Sequence, residues 1–89
     1  MNAFEIIKLG SNLLKEKKIP SFILDSEILL SKTLNTAREK LLINLNQKIN
    51  KKNISVFKEY LQRRSNNEPI AYILEEKEFC SNKFYIQKY

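Results

Sequence analysis

Phe22-Ile23-Leu24-Asp25-Ser26-Glu27-Ile28-Leu29-Leu30-Ser31-Lys32-Thr33-Leu34 is the stretch on which the fold turns. Its apolar positions, Phe22, Ile23, Leu24, Ile28, Leu29, Leu30 and Leu34, are too many for one narrow stripe. The spacing therefore predicts a helix buried on several sides, the most enclosed element of a bundle. Ile19-Pro20-Ser21 ahead of it breaks the pattern, because proline disfavours helix in the residue before it and presets the first turn of the next helix. Further upstream Phe4, Ile7 and Leu14, with Ile6, Leu9 and Leu13 beside them, give residues 3 to 18 the period of an amphipathic helix. Gly10 falls on its apolar face, where a missing Cβ lets another helix approach closely.

Downstream, Asn35 suits a left-handed residue after the central helix, and Thr36-Ala37-Arg38-Glu39 has the form of a capping box for a short third helix through Leu41 and Leu42, with Leu45 as its furthest extent. In the polar stretch Asn46 to Asn53, either Asn50 or Asn53 is placed to cap a fourth helix. Ile54, Phe57 and Leu61 mark that helix's inner face, Glu59 and Arg63 stand i,i+4, and Asn66-Asn67 reads as its stop. Glu68-Pro69 restarts the chain into a short apolar helix, Ile70 to Leu74. Beyond it the period changes. Phe79, Phe84, Tyr85 and Ile86 flank Ser81-Asn82, so residues 77 to 87 read as a β-hairpin. The expected architecture is an all-α bundle of four to five helices over residues 1 to 74, with residues 75 to 89 the start of a hairpin linker. A lone hairpin is marginal in water, so a further domain is expected beyond it.

Composition excludes several chemistries. The 89 residues hold no histidine and one cysteine, which leaves no imidazole-activated nucleophile, no disulfide framework and no thiolate zinc cluster. Gly10 is the single glycine, so the Gly-rich loops that wrap a dinucleotide or triphosphate are absent. Cys80 has no companion ligand or base and reads as an ordinary hairpin residue. The first residues lack the basic flank and apolar run of a leader, and no apolar stretch approaches membrane-span length, so a soluble, cytoplasmic chain without a membrane partner is expected.

The net charge is +6, and residues 46 to 66 carry six bases against one acid. Lys48, Lys51, Lys52, Lys58, Arg63 and Arg64 make the footprint expected of a surface that meets phosphates or an acidic protein. The competing reading is solubility alone, since lysine outnumbers arginine 13 to 3 in a chain also rich in Asn and Ile, as base composition can dictate.

The order of these signals resembles the N-terminal domain of the HemK/PrmC-type glutamine methyltransferases that act on peptide-chain release factors. Arg63-Arg64, then Glu68-Pro69-Ile70-Ala71-Tyr72-Ile73-Leu74, then Glu78-Phe79 and Phe84, match that family's paired arginine, Glu-Pro-Ile-Ala-Tyr-Ile run and Glu-Phe hairpin opening. Asp25-Ser26-Glu27-Ile28-Leu29-Leu30 resembles its Asp-Ala-Glu-x-Leu-Leu, and Arg38 follows at the right distance. Asn67 stands where the family usually has glycine, a mild change because asparagine tolerates the left-handed conformation. Glu75 replaces another customary glycine and is expected to strain the turn into the hairpin.

The resemblance implies a substrate-recruiting domain, residues 1 to 74, of an S-adenosylmethionine-dependent enzyme that methylates the glutamine of a release factor's Gly-Gly-Gln motif. It implies a release factor and the chain's own C-terminal catalytic domain as partners, with the chain itself a monomer. The family's Ile-Pro-Arg-Pro segment, cofactor loop and Asn-Pro-Pro-Tyr motif have no counterpart here, so no catalytic, cofactor or metal residue is assigned, and the 89 residues alone are expected neither to catalyse nor to bind S-adenosylmethionine. Lys51, Lys52, Arg63 and Arg64 are the candidate partner surface. Glu68, Pro69, Tyr72 and Phe79 are the candidate interdomain junction, with Tyr72 expected to bury its ring. Asp25 is expected to favour a helix start and to pair with a base such as Arg38. The rival class is a stand-alone basic helical module that binds RNA or DNA through residues 48 to 64. The aromatics fall mostly on core-facing positions and do not support it.

Overall fold

The first helix begins where three backbone donors find acceptors outside it. Asn2 caps α1 (Ala3–Glu16) by accepting from the Glu5 amide at 2.9 Å, and the Glu5 carboxylate accepts from the Asn2 amide at 2.9 Å in return. The amides of Ala3 and Phe4 donate to the carbonyls of Gln47 (2.9 Å) and Leu45 (3.1 Å), and Ile49 donates to Met1 at 3.0 Å. A helix start leaves its first amides without internal partners, and here a distant loop satisfies them. This antiparallel contact, centred on Asn2 and Lys48, was not foreseen from the polar stretch that forms it.

A computed structural model describes residues 1–80, with side chains described through Glu75. Among the described residues it holds α1, α2 (Phe22–Leu34), α3 (Arg38–Leu42), α4 (Lys51–Ser65) and α5 (Ile70–Cys80), and no strand. The expected all-helical bundle is present. No helix among the described residues is long and apolar enough to cross a membrane.

Helix α2 is central: it packs against α1, α3, α4 and α5. It is not enclosed all round, however. Leu29 and Leu30 are fully buried, whereas Ile23 and Leu24 lie exposed at its first turn. The core gathers Ile6, Ile7 and Leu14 of α1, Leu29 and Leu30 of α2, Leu41 of α3, Phe57 and Leu61 of α4 and Ile73 of α5, with Ile19 and Ile49 from the connections. The buried face of α1 is thus centred on Ile6, Gly10 and Leu14, and Phe4 and Leu9, counted on it by spacing, are exposed.

Several turns follow the chemistry of their residues. Asn35 adopts φ 55° and closes α2, as expected, and Asn50 caps α4 by accepting from the Asn53 amide at 2.8 Å. Asn67 adopts φ 70°, the left-handed conformation that asparagine tolerates. Lys18, at φ 64°, ends α1 two residues short of expectation with the Ile19 amide donating back to the Leu14 carbonyl. Two expectations fail. Thr36 does not cap α3: Ala37 holds the cap position, and no side chain bonds there. Helix α5 runs on to Cys80, not ending near Leu74, so Glu75 is helical and unstrained, and residues 77 to 80 are helix where a hairpin was expected. The remainder of the expected hairpin lies outside the described residues.

At Gly10, α1, α2 and α4 meet. A Cβ there would lie 2.5 Å from Ser26 Oγ, 2.8 Å from Phe57 Cζ and 3.1 Å from a Leu61 methyl. Ser26 is fully buried, and its hydroxyl donates to the Ile7 carbonyl at 2.8 Å, a bond it would lose by turning away. Gly10→Ala gains about 1 kcal/mol of helix propensity, but overpacking a filled core typically costs about 1–3 kcal/mol. The expected outcome is a lower thermal midpoint, partly restored in Gly10→Ala/Ser26→Ala. A higher midpoint for the single variant, read by circular dichroism, would show the approach to be loose.

Candidate functional site

The residues singled out as partner surface do not behave as one group. On α4, Lys51, Lys52, Ser55, Lys58, Glu59 and Gln62 fall within one arc of the helix, opposite the arc that holds Phe57 and Leu61, and all six are exposed. Lys51, Lys52 and Lys58 make no ion pair among the described residues. The helix also opens against its dipole, with Lys51-Lys52 at its start and no acid in the first turn. Asn50 supplies the cap that tolerates this order. Lys48, exposed just upstream, extends the same basic end.

Arg64 is turned inward, and Arg63, part-exposed at the edge of the lysine arc, reaches toward the turn that follows α4. Arg64 donates from Nε to Asp25 Oδ2 at 2.8 Å and from Nη1 to the Glu68 carbonyl at 3.1 Å. Its side chain is 18% exposed and that of Asp25 only 6%. Arg63 holds the Glu68 carboxylate with two donors, Nε at 2.9 Å and Nη2. Asp25 therefore pairs with Arg64, and the base expected for it, Arg38, binds Glu27 at 2.8 Å instead. Likewise Arg63 turns to Glu68, five residues on, while its expected partner Glu59 stays exposed. Sequence spacing along one helix could propose Glu59, but the left-handed turn at Asn67 brings Glu68 back over the end of α4.

The two long motifs thus meet in space. Asp25 of the central helix, Arg63-Arg64 at the end of α4, and Glu68-Pro69 before α5 form one cluster. Ser21 Oγ joins it by donating to Asp25 at 2.9 Å. Lys32 Nζ lies 5.5 Å from the centre of the Tyr60 ring, donates to the Leu74 carbonyl at 2.7 Å and ties α2 to α5 one turn further on. Spacing alone did not reveal the part Lys32 plays. Pro69 sits exposed immediately ahead of α5, its carbonyl accepting from Tyr72 at 3.0 Å. Tyr72 contradicts expectation: it is 64% exposed, because α5 buries Ile73 and leaves the neighbouring position outside. The side chain of Phe79 lies outside the described residues. Among them no group of acids and cysteine is arranged to hold a metal ion.

Stability should separate the two arginines. Removing one partner of a buried pair strands the other charge and typically costs on the order of 3–5 kcal/mol, so Arg64→Met is expected to lower the unfolding free energy far more than Arg63→Met. The Glu68 carboxyl is held below its ordinary value of 4.5, first by the hydrogen bond from Arg63, with burial opposing and the Arg63 charge adding to it. A carboxyl depressed in the folded state contributes stability above its ordinary value and loses it as pH falls through the folded one. Glu68→Gln should accordingly be less stable than the wild type at neutral pH, with the gap closing as pH falls below 4.5. Thermal melts across that range give the check, and a gap independent of pH would contradict the pairing.

Comparison with known proteins gives these features a family. The profile of the PrmC N-terminal domain matches residues 5–74. A release factor glutamine methyltransferase of Leptospira interrogans is 37% identical over 83 residues, covering 93% of this chain and 29% of the relative. A bifunctional methyltransferase of Rickettsia felis is 39% identical over 85 residues, 96% of this chain and 16% of the relative. A release factor glutamine methyltransferase of Geobacter sulfurreducens is 33% identical over 73 residues, 82% of this chain and 26% of the relative. The chain thus spans less than a third of the length of these curated relatives. No solved structure matches at a significant level. With a helical bundle, the paired arginines, the Glu-Pro-Ile-Ala-Tyr-Ile run and this breadth of match, the chain belongs to the PrmC N-terminal domain family.

Proposed function

We propose that this domain recruits a peptide-chain release factor to an S-adenosylmethionine-dependent methyltransferase, which modifies the glutamine of the factor's Gly-Gly-Gln motif. Two relatives that bear the name release factor glutamine methyltransferase support the substrate class, and their greater length accommodates a separate catalytic domain. In this reading the 89 residues are not themselves catalytic, and S-adenosylmethionine is bound elsewhere in the longer protein. Its work is orientation: remote binding energy holds the body of the factor so that the reactive loop reaches the catalytic pocket.

The observation that carries the recruiting surface is the exposed face of α4. Lys51, Lys52 and Lys58 are three cations without an internal ion-pair partner among the described residues, placed where the helix dipole disfavours two of them. A lysine that stabilises neither helix nor core is available to an acidic partner, and complementary charge speeds encounter and sets orientation. Arg63 and Arg64, first grouped with this surface, bind Glu68 and Asp25 at the α4–α5 turn, so the reading rests on the three lysines.

The test is kinetic. In the longer enzyme, Lys51→Glu/Lys52→Glu/Lys58→Glu is expected to raise KM for the release factor protein while methylation of a short Gly-Gly-Gln peptide stays near wild type, the signature of uniform binding lost at a remote surface. Equal losses on protein and peptide would remove the recruiting role from this face. Tight RNA binding by the 89-residue chain that falls steeply with salt would favour a nucleic-acid partner instead.

A further inference from the structure

Helix α5 is attached to the bundle in two physically different ways. Ile73 is fully buried and Ile70 half-buried, and apolar burial of this kind tolerates sliding and rotation of one helix on another. The polar attachments do not. The Arg64 guanidinium is planar, and its two prongs reach two elements at once: Asp25 on α2 and the Glu68 carbonyl just before α5. Glu68 is gripped a second time through its carboxylate by Arg63. Six residues on, the Leu74 carbonyl accepts from Lys32 of α2. The first turns of α5 are thus referenced to α2 and α4 by directional bonds at residues 68 and 74.

We propose that the Asp25–Arg64 pair is a positioning device that fixes the direction in which α5 leaves the bundle, and through it the placement of the domain that follows. Its use in catalysis rests on the methyltransferase reading above, since a lysine face can present a release factor to a catalytic pocket only if the two are held in a defined relation. Stability alone does not account for the pair. Taking two charges out of water is costly, and well-packed apolar residues of similar size commonly replace a buried ion pair with no loss of stability. What an apolar pair lacks is direction.

That difference makes the proposal testable apart from folding. Asp25→Leu/Arg64→Met replaces both charges together and leaves none stranded. Spin labels placed at exposed positions of α1 and α5, through Glu16→Cys and Glu75→Cys with Cys80→Ser, report the distance between these helices in the 89-residue chain. The paired chain is expected to give one narrow distance distribution. The apolar double variant is expected to keep a cooperative thermal transition close to the parent's while its distance distribution broadens or shifts. In the longer enzyme the same substitutions should lower kcat/KM for the release factor protein by roughly tenfold and leave methylation of a short peptide unchanged.

An unchanged distance distribution in a stable double variant overturns the proposal. A broadened distribution with unchanged protein methylation upholds the positioning of α5 and overturns the methyltransferase reading of its use. Should the double variant fail to fold, Arg64→Lys is measured in its place. Lysine keeps the charge without the planar fork, so the distribution should still broaden, and a parental one overturns the proposal.

Discussion

A carboxylate with almost no access to water, Asp25, meets a guanidinium from the far end of another helix, and the turn between α4 and α5 is built around that contact. Buried ion pairs contribute little net stability once desolvation is counted, but they are intolerant of mispairing. Asp25 has few ways to be satisfied: Ser21 and Arg64 reach it, and both depend on where α2 begins and α4 ends. The packing that brings these ends together is set elsewhere, at Gly10, where the absence of a side chain lets Ser26 and Phe57 close on α1. Close approach at one level of the bundle and a directional pair at another join α1, α2 and α4 and set where α5 begins.

The basic segment illustrates how one run of sequence divides its labour. Charge counting treats residues 48 to 64 as a single patch. The structure splits it by helical phase: Lys51, Lys52 and Lys58 share the outward arc of α4, whereas Arg64 lies on the inward arc with Phe57 and Leu61. Residue type agrees with position. Arginine presents a planar fork suited to two acceptors at fixed geometry, and lysine a hydrated point charge suited to a surface. The division leaves Arg64 to internal architecture, sets Arg63 at the boundary where it holds Glu68, and gives Lys51, Lys52 and Lys58 no internal ion-pair partner among the described residues.

Much of the fold was legible in the sequence because its signals are local. Asn35 and Asn67 adopt the left-handed conformation their chemistry favours, Asn50 caps α4, and Gly10 marks a close helix approach. What was not legible depends on tertiary placement. Thr36 has the right chemistry for a cap, yet the helix starts one residue later, with Ala37 at the cap position and no side-chain bond to mark it. Tyr72 was expected inside because aromatic rings bury well, but the inward position on that turn of α5 belongs to Ile73, and Tyr72 beside it faces out. Glu59 was assigned to Arg63 because spacing along a helix sees only neighbours on that helix, whereas the expected Asp25–Arg38 pair already crossed a turn and failed because nothing local in the sequence brings Arg64 to Asp25 or leaves Arg38 to Glu27. Period also misjudged the end of α5, where residues up to Cys80 remain helical.

Docking of a release factor on the outward face of α4 is the proposal with the sharpest consequence. It is tested most directly by titrating unlabelled release factor protein into the isotopically labelled 89-residue chain and following backbone amide resonances. If the factor docks there, the largest perturbations fall on Lys51, Lys52, Ser55, Lys58 and Gln62, weaken with added salt, and leave Asp25 and Arg64 largely unmoved. Perturbations confined to Phe4, Ile23 and Leu24, or no perturbation at saturating release factor, would contradict it.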